Sequence, residues 1–197
     1  IPLPNGEVIV IGGNGNGEEF SDFESRLFPE IYNPNTNTWR TVAPLAVPRN
    51  YHSAATLLAD GRVLVAGGGL CGDCDVNHQD GQIFSPPYLF NPDGTRAEQA
   101  TFAAAPNQIG YNQRFQVSLK GKNADNIRGF RMIKLSANTH AMNTDIRMLN
   151  VAMSKTGNST YELTSEGNPN VLTPGNYYLF AYTDNFVPSI AQIVQVR

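Results

Sequence analysis

A duplicated glycine motif constrains the fold of this chain more than any other feature. The segment Pro4-Asn-Gly-Glu-Val-Ile-Val-Ile-Gly-Gly13 recurs as Ala59-Asp-Gly-Arg-Val-Leu-Val-Ala-Gly-Gly68. In both copies a turn pair, Asn-Gly or Asp-Gly, precedes a short β-branched run, which is typical of a hairpin strand. Each copy is followed by a loop and a segment ending in Asn-Pro, Glu30–Pro34 and Leu89–Pro92, which we interpret as a further strand. The shared glycines and spacing favour a repeated unit over two unrelated hairpins.

The rest of the chain carries the same kind of signal. Its apolar runs are short and mostly β-branched or aromatic, which is typical of strands: Val8–Ile11, Val63–Ala66, Phe115–Leu119, Tyr177–Tyr182 and Ile190–Val196. No segment keeps a helical apolar period for three turns. We therefore predict an all-β protein.

The repeat resembles the kelch repeat of β-propellers, in which a Tyr and a Trp, here Tyr32 and Trp39, follow the Gly-Gly pair. A propeller ring needs about four to eight blades, and two repeats cannot close one. The first repeat also lacks its opening strand, because Ile1 lies just before the Asn-Gly turn. We therefore expect an incomplete propeller, either a fragment of a longer protein or one completed by another chain.

From Thr101 the pattern changes, because the Gly-Gly motif does not recur. About seven short strand candidates follow at the spacing of an immunoglobulin-like sandwich. We place the boundary within Arg96–Pro106 and predict two domains, residues 1–100 for the last propeller blades and residues 101–197 for the sandwich.

Charge and hydropathy exclude several classes of partner. The net charge of −3 gives no support to binding of nucleic acid or an anionic membrane by bulk charge. No apolar run approaches the ~20 residues of a membrane span. The chain has three histidines and two cysteines, so candidates for metal or thiol chemistry are few.

Two places in the sequence carry residues able to bind a metal, the pair Tyr51-His52 and the single His140. Tyr51 and His52 are adjacent, so both could reach one ion only where the backbone bends, since a regular strand would point them to opposite faces. His140 lies near the tip of an expected hairpin with apolar flanks, and such a tip can deliver a ligand to a neighbouring domain. The alternatives are a core tyrosine beside a turn-capping histidine, and an incidental histidine in a solvated loop.

The stretch Cys71-Gly-Asp-Cys74, followed by His78, has its own alternatives. A zinc site would need further ligands, and no second cysteine pair exists. Haem attachment requires a histidine directly after the second cysteine, and a thioredoxin-like motif requires a βαβ setting. A short-loop disulfide in an oxidising compartment is the favoured interpretation.

Together these motifs resemble the galactose oxidase family of copper-radical oxidases over essentially the whole chain. The matching elements are Arg49-Asn-Tyr51-His52-Ser53, Gly67-Gly-Gly-Leu-Cys71-Gly-Asp-Cys74, Asn77-His78, Gln82-Ile-Phe84-x-Pro86-x-Tyr88, Thr139-His140-x-x-Asn143-Thr-Asp145-x-Arg147 and Pro174-Gly175-x-Tyr177. The resemblance implies the last blades of a seven-bladed kelch propeller followed by an early-set, immunoglobulin-like C-terminal domain. One hairpin of that domain would then carry a copper-binding histidine into the propeller.

The resemblance also assigns residues. Tyr51 is similar to the axial tyrosine that accepts the substrate proton, and His52 and His140 to the two histidines that bind copper. Phe20 matches an aromatic residue that lines the substrate pocket, and Cys71 and Cys74 match a short disulfide. His78 falls on a position that is not a ligand and is expected to be structural. Two imidazoles and phenolate oxygen suit Cu(II).

The implied activity is oxidation of a primary alcohol or sugar to an aldehyde, with O2 reduced to hydrogen peroxide, in a secreted, extracellular, periplasmic or cell-surface protein. The family also uses a tyrosine cross-linked to a cysteine, which lies on earlier blades. We therefore expect this radical cofactor to come from a missing N-terminal propeller segment, and the chain to be inactive alone. The alternatives are a non-catalytic kelch and Ig-like module that binds carbohydrate or a surface, and a glyoxal-oxidase-like aldehyde oxidase.

Overall fold

The computed structural model describes residues 1–135, 137–140 and 142–197 and confirms the all-β prediction. In the described residues, helical structure is confined to one turn of 3-10 helix, Pro87–Leu89, and no helix there is long and apolar enough to cross a membrane. The strands are β1 (Val8–Val10), β2 (Glu30–Asn33), β3 (Thr38–Thr41), β4 (Ala54–Leu57), β5 (Val63–Ala66), β6 (Gly81–Phe84), β7 (Thr101–Ala104), β8 (Gln108–Ile109), β9 (Arg114–Lys120), β10 (Ile127–Lys134), β11 (Asn138–Thr139), β12 (Met142–Asn143), β13 (Met148–Gly157), β14 (Thr160–Thr164), β15 (Gly175–Thr183) and β16 (Gln192–Val196).

The chain forms two compact units that are not contiguous in sequence. Unit 1 comprises residues 1–58, 62–85 and 136–146, and unit 2 comprises residues 59–61, 86–135 and 147–197. The hairpin that carries His140 thus belongs to the unit that contains Tyr51 and His52. The domain boundary between residues 100 and 101 stays a prediction, and the compact units divide between Ser85 and Pro86.

Unit 1 contains two antiparallel three-stranded sheets, ordered β1-β2-β3 and β4-β5-β6. The two copies of the repeat form equivalent hairpin strands, β1 and β5, which pair with β2 and β6 respectively. Because side chains alternate along a strand, Ile9, Ile31, Val63 and Val65 point inward and are buried. These sheets form the partial kelch-type propeller that the repeat predicts.

One predicted strand is wrong. The segment Leu89–Pro92 does not pair like β2, because Leu89 ends the 3-10 turn and the chain then turns again at Asn91–Gly94. The strand equivalent to β2 in the second copy is β6, which ends at Phe84. Pro86 and Pro87 follow after Ser85, and proline lacks the N–H that continued pairing would need.

Unit 2 is built on one eight-stranded sheet, ordered β7-β9-β14-β13-β10-β15-β16-β8. All neighbouring strands are antiparallel except β16 and β8. Strands far apart in this order, such as β9 and β16, contribute side chains to the same apolar core, so the sheet curls around it. The largest core side chains are aromatic, including Phe130, Tyr161 and Tyr177. This arrangement agrees with the predicted immunoglobulin-like architecture.

Candidate metal centre

A sharp turn places Tyr51 and His52 side by side. His52 has a φ of 63°, in the left-handed region that few residues other than glycine adopt. The ring centroids of the two residues lie 4.0 Å apart, whereas a regular strand would direct adjacent side chains to opposite faces. The backbone bend required for two neighbours to share one site is therefore present.

The turn is anchored by Arg49, whose side chain is fully buried. Arg49 donates from Nη1 to the carbonyl oxygens of Gly67 (2.9 Å) and Asp80 (3.0 Å), and from Nη2 to Asp80 Oδ2 (2.9 Å). The hydrogen bond from Arg49 lowers the pKa of the Asp80 carboxyl. The Arg49 carbonyl accepts the N–H of Gly13 at 2.8 Å, and a Cβ on Gly12 would overlap that carbonyl oxygen. Glycines from both copies of the repeat therefore contact Arg49.

Gly69 completes the support of the turn. Its N–H donates to the Tyr51 carbonyl at 2.9 Å, and its carbonyl oxygen lies 2.7 Å from His52 Nδ1. A carbonyl only accepts, so Nδ1 carries the hydrogen and Nε2 keeps its lone pair. Gly69 has a φ of 81°, and a Cβ there would overlap the Val76 carbonyl oxygen. The Gly-Gly-Gly run thus permits a close approach that also orients the imidazole of His52.

A short hairpin brings His140 to the same place. Strands β11 and β12 pair with each other, and Asn138 Nδ2 donates to the Ala55 carbonyl on β4 at 2.8 Å. His140 has a φ of 50°, as expected at a tight turn. Ser136 and Ala141 of this predicted hairpin lie outside the described residues.

Three rings converge as a result. The His140 ring centroid lies 5.7 Å from that of Tyr51 and 5.1 Å from that of His52. Thr139 Oγ1 lies 2.7 Å from His140 Nδ1 and can accept its hydrogen. Two segments far apart in the sequence therefore place two imidazoles and a phenol within one small volume.

Phe20 forms a wall of the same site. Its ring packs edge-on against Tyr51 with the centroids 5.4 Å apart, and it lies 6.0 Å from the His52 ring. The Phe20 side chain is 45% exposed, so its free face is available to a ligand. The structure thus brings together Phe20, Tyr51, His52 and His140.

The donor set of this cluster suits copper. Both imidazoles have Nδ1 engaged, and no described residue hydrogen-bonds to either Nε2. Metal-binding histidines typically engage the other ring nitrogen with a backbone carbonyl or hydroxyl in this way. Two imidazole nitrogens with a phenolate oxygen match the ligand preference of Cu(II). Among described residues no group of three or more His, Cys, Asp or Glu side chains could hold a metal.

A polar network behind the cluster was not predicted from sequence. Asn50 is buried, and the two hydrogens of its Nδ2 are shared among the Ser21 carbonyl (2.8 Å), Ser25 Oγ (2.9 Å) and Asp22 Oδ1 (3.3 Å). Asp22 Oδ2 also lies 2.8 Å from His78 Nε2. His78 contacts no member of the ring cluster in this network, and its structural role stays a prediction. The adjacency of Asn50 to Tyr51 was the one signal available for this network.

The predicted disulfide between Cys71 and Cys74 is present, so neither sulfur is free for the zinc alternative. The thioredoxin alternative is wrong because the described residues around the motif form β-strands and no βαβ unit. Asn77 Oδ1 accepts the backbone N–H groups of Leu70 (2.6 Å) and Cys71 (3.2 Å) and fixes the loop. Because both thiols are consumed, the chain offers no cysteine for any other covalent or metal bond.

Two family models match the chain. The model described as the glyoxal oxidase N-terminus matches residues 1–78, and the galactose oxidase-like early set domain matches residues 99–196. The second match identifies the Ig-like unit as an early-set domain.

Similar proteins align with nearly the whole of this chain, but the chain spans less than half of their own length. A galactose oxidase of Gibberella zeae is 34% identical over 197 residues, which are 100% of this chain and 28% of that protein. An aldehyde oxidase of Arabidopsis thaliana is 29% identical over 98% of this chain and 34% of its own length. A solved fungal alcohol oxidase of the AA5 family, in complex with copper, superposes with a TM-score of 0.93 and 36% identity, covering 99% of this chain and 41% of that one. The chain belongs to the galactose oxidase family of copper-radical oxidases and corresponds to a C-terminal portion of its longer members.

Proposed function

We propose that this chain supplies one tyrosine and two histidines to the copper centre of an oxidase that converts primary alcohols to aldehydes and reduces O2 to hydrogen peroxide. The observation that supports this most directly is the convergence of Tyr51, His52 and His140 from distant segments. A non-catalytic kelch and Ig-like module would have no use for this convergence. The copper complex of the solved alcohol oxidase supports a copper centre in a protein of this fold.

Each residue has a distinct part. His52 and His140 would hold the metal through Nε2, since Nδ1 of each is already engaged. Tyr51 would offer its phenol oxygen as a third donor and accept the proton of the substrate hydroxyl, because a nearby cation favours the phenolate. Bound copper would supply one-electron redox chemistry. The exposed face of Phe20 would pack against the carbon chain or sugar ring of the substrate and hold its hydroxyl toward Tyr51.

The electron balance requires a second redox group. Oxidation of an alcohol to an aldehyde releases two electrons and two protons, which O2 takes up to form hydrogen peroxide. The family's second one-electron group is a tyrosine cross-linked to a cysteine. Both cysteines of this chain form the Cys71–Cys74 disulfide, so we place that cofactor in an N-terminal propeller segment. The isolated chain should therefore not turn over.

A second candidate reaction is oxidation of aldehydes such as glyoxal. The match of residues 1–78 to the glyoxal oxidase model favours it, as do relatives named aldehyde oxidases. Both reactions use the same metal centre and differ in the substrate pocket. We further propose a secreted protein, because a disulfide pairing every cysteine is typical of an oxidising compartment.

The experiment measures peroxide release with copper and a panel of primary alcohols, sugars and glyoxal. The full-length protein that contains this chain should release peroxide, and the 197-residue chain should not. Tyr51→Phe removes the proton acceptor and should lower kcat by about 10²-fold or more with a smaller change in KM. Robust turnover by the isolated chain, or wild-type turnover by Tyr51→Phe, would refute the proposal.

A further inference from the structure

Three segments of unit 1 surround the ring cluster. The pocket loop, residues 14–26, carries Phe20. The ligand turn, residues 49–52, carries Tyr51 and His52. The glycine loop, residues 67–78, contains the triple glycine and the disulfide. The relative positions of these segments fix the distance between the pocket wall and the metal-binding side chains.

The pocket loop is held without a hydrophobic core of its own. None of residues 14–26 is buried, and Phe20 and Phe23 are 45% and 67% exposed. Apolar burial of a few side chains would normally contribute the largest share of a loop's attachment. Here polar contacts to the neighbouring segments must set the position of the loop.

Asp22 connects the pocket loop to both other segments. Its Oδ1 lies 3.3 Å from Asn50 Nδ2, the longest of the three contacts that share the two hydrogens of that amide, and Asn50 directly precedes Tyr51. Its Oδ2 accepts from His78 Nε2 at 2.8 Å, which requires the hydrogen on Nε2 because a carboxylate only accepts. The backbone N–H of His78 in turn donates to the Gly68 carbonyl at 3.1 Å.

The connections close into a circuit. Gly69 follows Gly68, binds the Tyr51 carbonyl through its N–H, and accepts from His52 through its own carbonyl. The path therefore runs from Asp22 through His78 to the glycine loop, returns through the ligand turn, and reaches Asp22 again through Asn50. One carboxylate thus ties the wall of the pocket to the loops that orient both neighbouring ligands.

We propose that Asp22 is a positioning residue that sets Phe20 against Tyr51 and thereby controls how well a substrate is held. This inference rests on the proposed function for its effect on substrate. Its structural part, the attachment of the pocket loop by Asp22, can be measured without turnover.

The test uses three variants of the full-length protein. Asp22→Leu has similar size and removes both acceptors, Asp22→Asn keeps one oxygen acceptor and a polar group facing His78, and Glu19→Gln is a matched control. Glu19 lies on the same loop, is exposed, and forms no hydrogen bond with the described residues. Copper content, the Cu(II) spectrum, amide hydrogen exchange of residues 14–26, and kcat and KM are measured for each.

Asp22→Leu should speed hydrogen exchange in residues 14–26 and raise KM about tenfold, while kcat stays within about twofold and copper content is unchanged. Asp22→Asn should change hydrogen exchange and KM much less than Asp22→Leu does. Glu19→Gln should match wild type in both. The inference is overturned if Asp22→Leu leaves exchange and KM unchanged, or if it lowers copper content and kcat together with no change in KM. If wild type binds no copper and does not turn over, the proposed function fails, while hydrogen exchange still decides whether Asp22 holds the loop.

Discussion

The two units of this protein differ in the kinds of side chain that they bury. Unit 2 encloses one continuous apolar core, to which β8, β9, β10, β14, β15 and β16 contribute buried side chains, and its buried polar residues are the serines Ser165 and Ser189. Unit 1 buries fewer apolar side chains, yet it buries Glu7, Arg49, Asn50 and Ser53. Unit 2 is therefore stabilised mainly by apolar packing, whereas unit 1 relies on directional polar contacts.

This difference in buried side chains matches what apolar and polar contacts can each hold in place. Apolar packing tolerates several side-chain combinations of similar volume, but it does not hold an imidazole at a given orientation. The carbonyls of Gly67 and Gly69 and the guanidinium of Arg49 provide fixed directions, and they surround the turn that bears Tyr51 and His52. We infer that unit 1 uses buried polarity to position the side chains that we propose as copper ligands.

The largest expected effect is on the core of unit 2. Phe130 is buried and packs edge-on against Tyr161, with the ring centroids 5.4 Å apart. Phe130→Ala should lower the free energy of unfolding by about 3–5 kcal/mol, because it removes a large side chain and leaves a cavity. Phe28→Ala is the control in unit 1, where the ring is 61% exposed, and should change stability by less than about 1 kcal/mol. Denaturant titration measures both, and equal losses would contradict the contribution of Phe130 to the packed core of unit 2.

A smaller effect is expected at the glycine loop of unit 1. Gly69→Ala should destabilise by about 2–4 kcal/mol, because it adds left-handed backbone strain and overlap with the Val76 carbonyl oxygen. Gly72→Ala is matched in φ, at 73°, but its Cβ would meet open space, so strain alone remains. Thermal unfolding and copper affinity of both variants measure the difference. If Gly72→Ala impaired copper binding as much as Gly69→Ala, close approach at Gly69 would not be what orients His52.

The smallest expected effect is the pH dependence that Glu7 gives to unit 1. Burial acts to raise the pKa of Glu7, but hydrogen bonds from Arg40 and Asn5 and the charge of Arg40 outweigh it, so the pKa is lowered. The folded state therefore gains stability above the ordinary glutamate pKa of about 4.5, and loses it as the pH falls through the lowered value. The difference in stability between wild type and Glu7→Gln should be full at pH 6 and should shrink as the pH falls below about 4.5 and through the lowered pKa of Glu7. A difference that did not shrink as the pH falls would contradict the role of the charged pair.

Much of the fold could be predicted because local sequence determines it. The β-branched runs and Asn-Gly or Asp-Gly turns identify β1, β5, β9, β15 and β16, since these signals act over a few residues. The strand predicted at Leu89–Pro92 from its similarity to Glu30–Pro34 is wrong, because the two prolines at positions 86 and 87 were not taken into account.

The site could be predicted only in part. The ring cluster of Tyr51, His52 and His140 was expected from the family resemblance, whereas their local motifs alone left the alternatives open. Asp22 and Asn50 were not expected, because their partners lie more than twenty residues away and each residue alone is an ordinary turn former. Such contacts depend on how loops meet in space, which no local pattern encodes.

The most direct test of the proposed copper centre is the Cu(II) spectrum of His140→Ala in the full-length protein, with Met142→Ala as control. Met142 lies on the same hairpin, and its side chain is 67% exposed and outside the ring cluster. Loss of one imidazole should lower copper affinity by about 10²-fold or more and change the electron paramagnetic resonance parameters, while Met142→Ala should match wild type. An unchanged copper content and spectrum in His140→Ala would contradict the assignment of His140 as a ligand and with it the proposed metal centre.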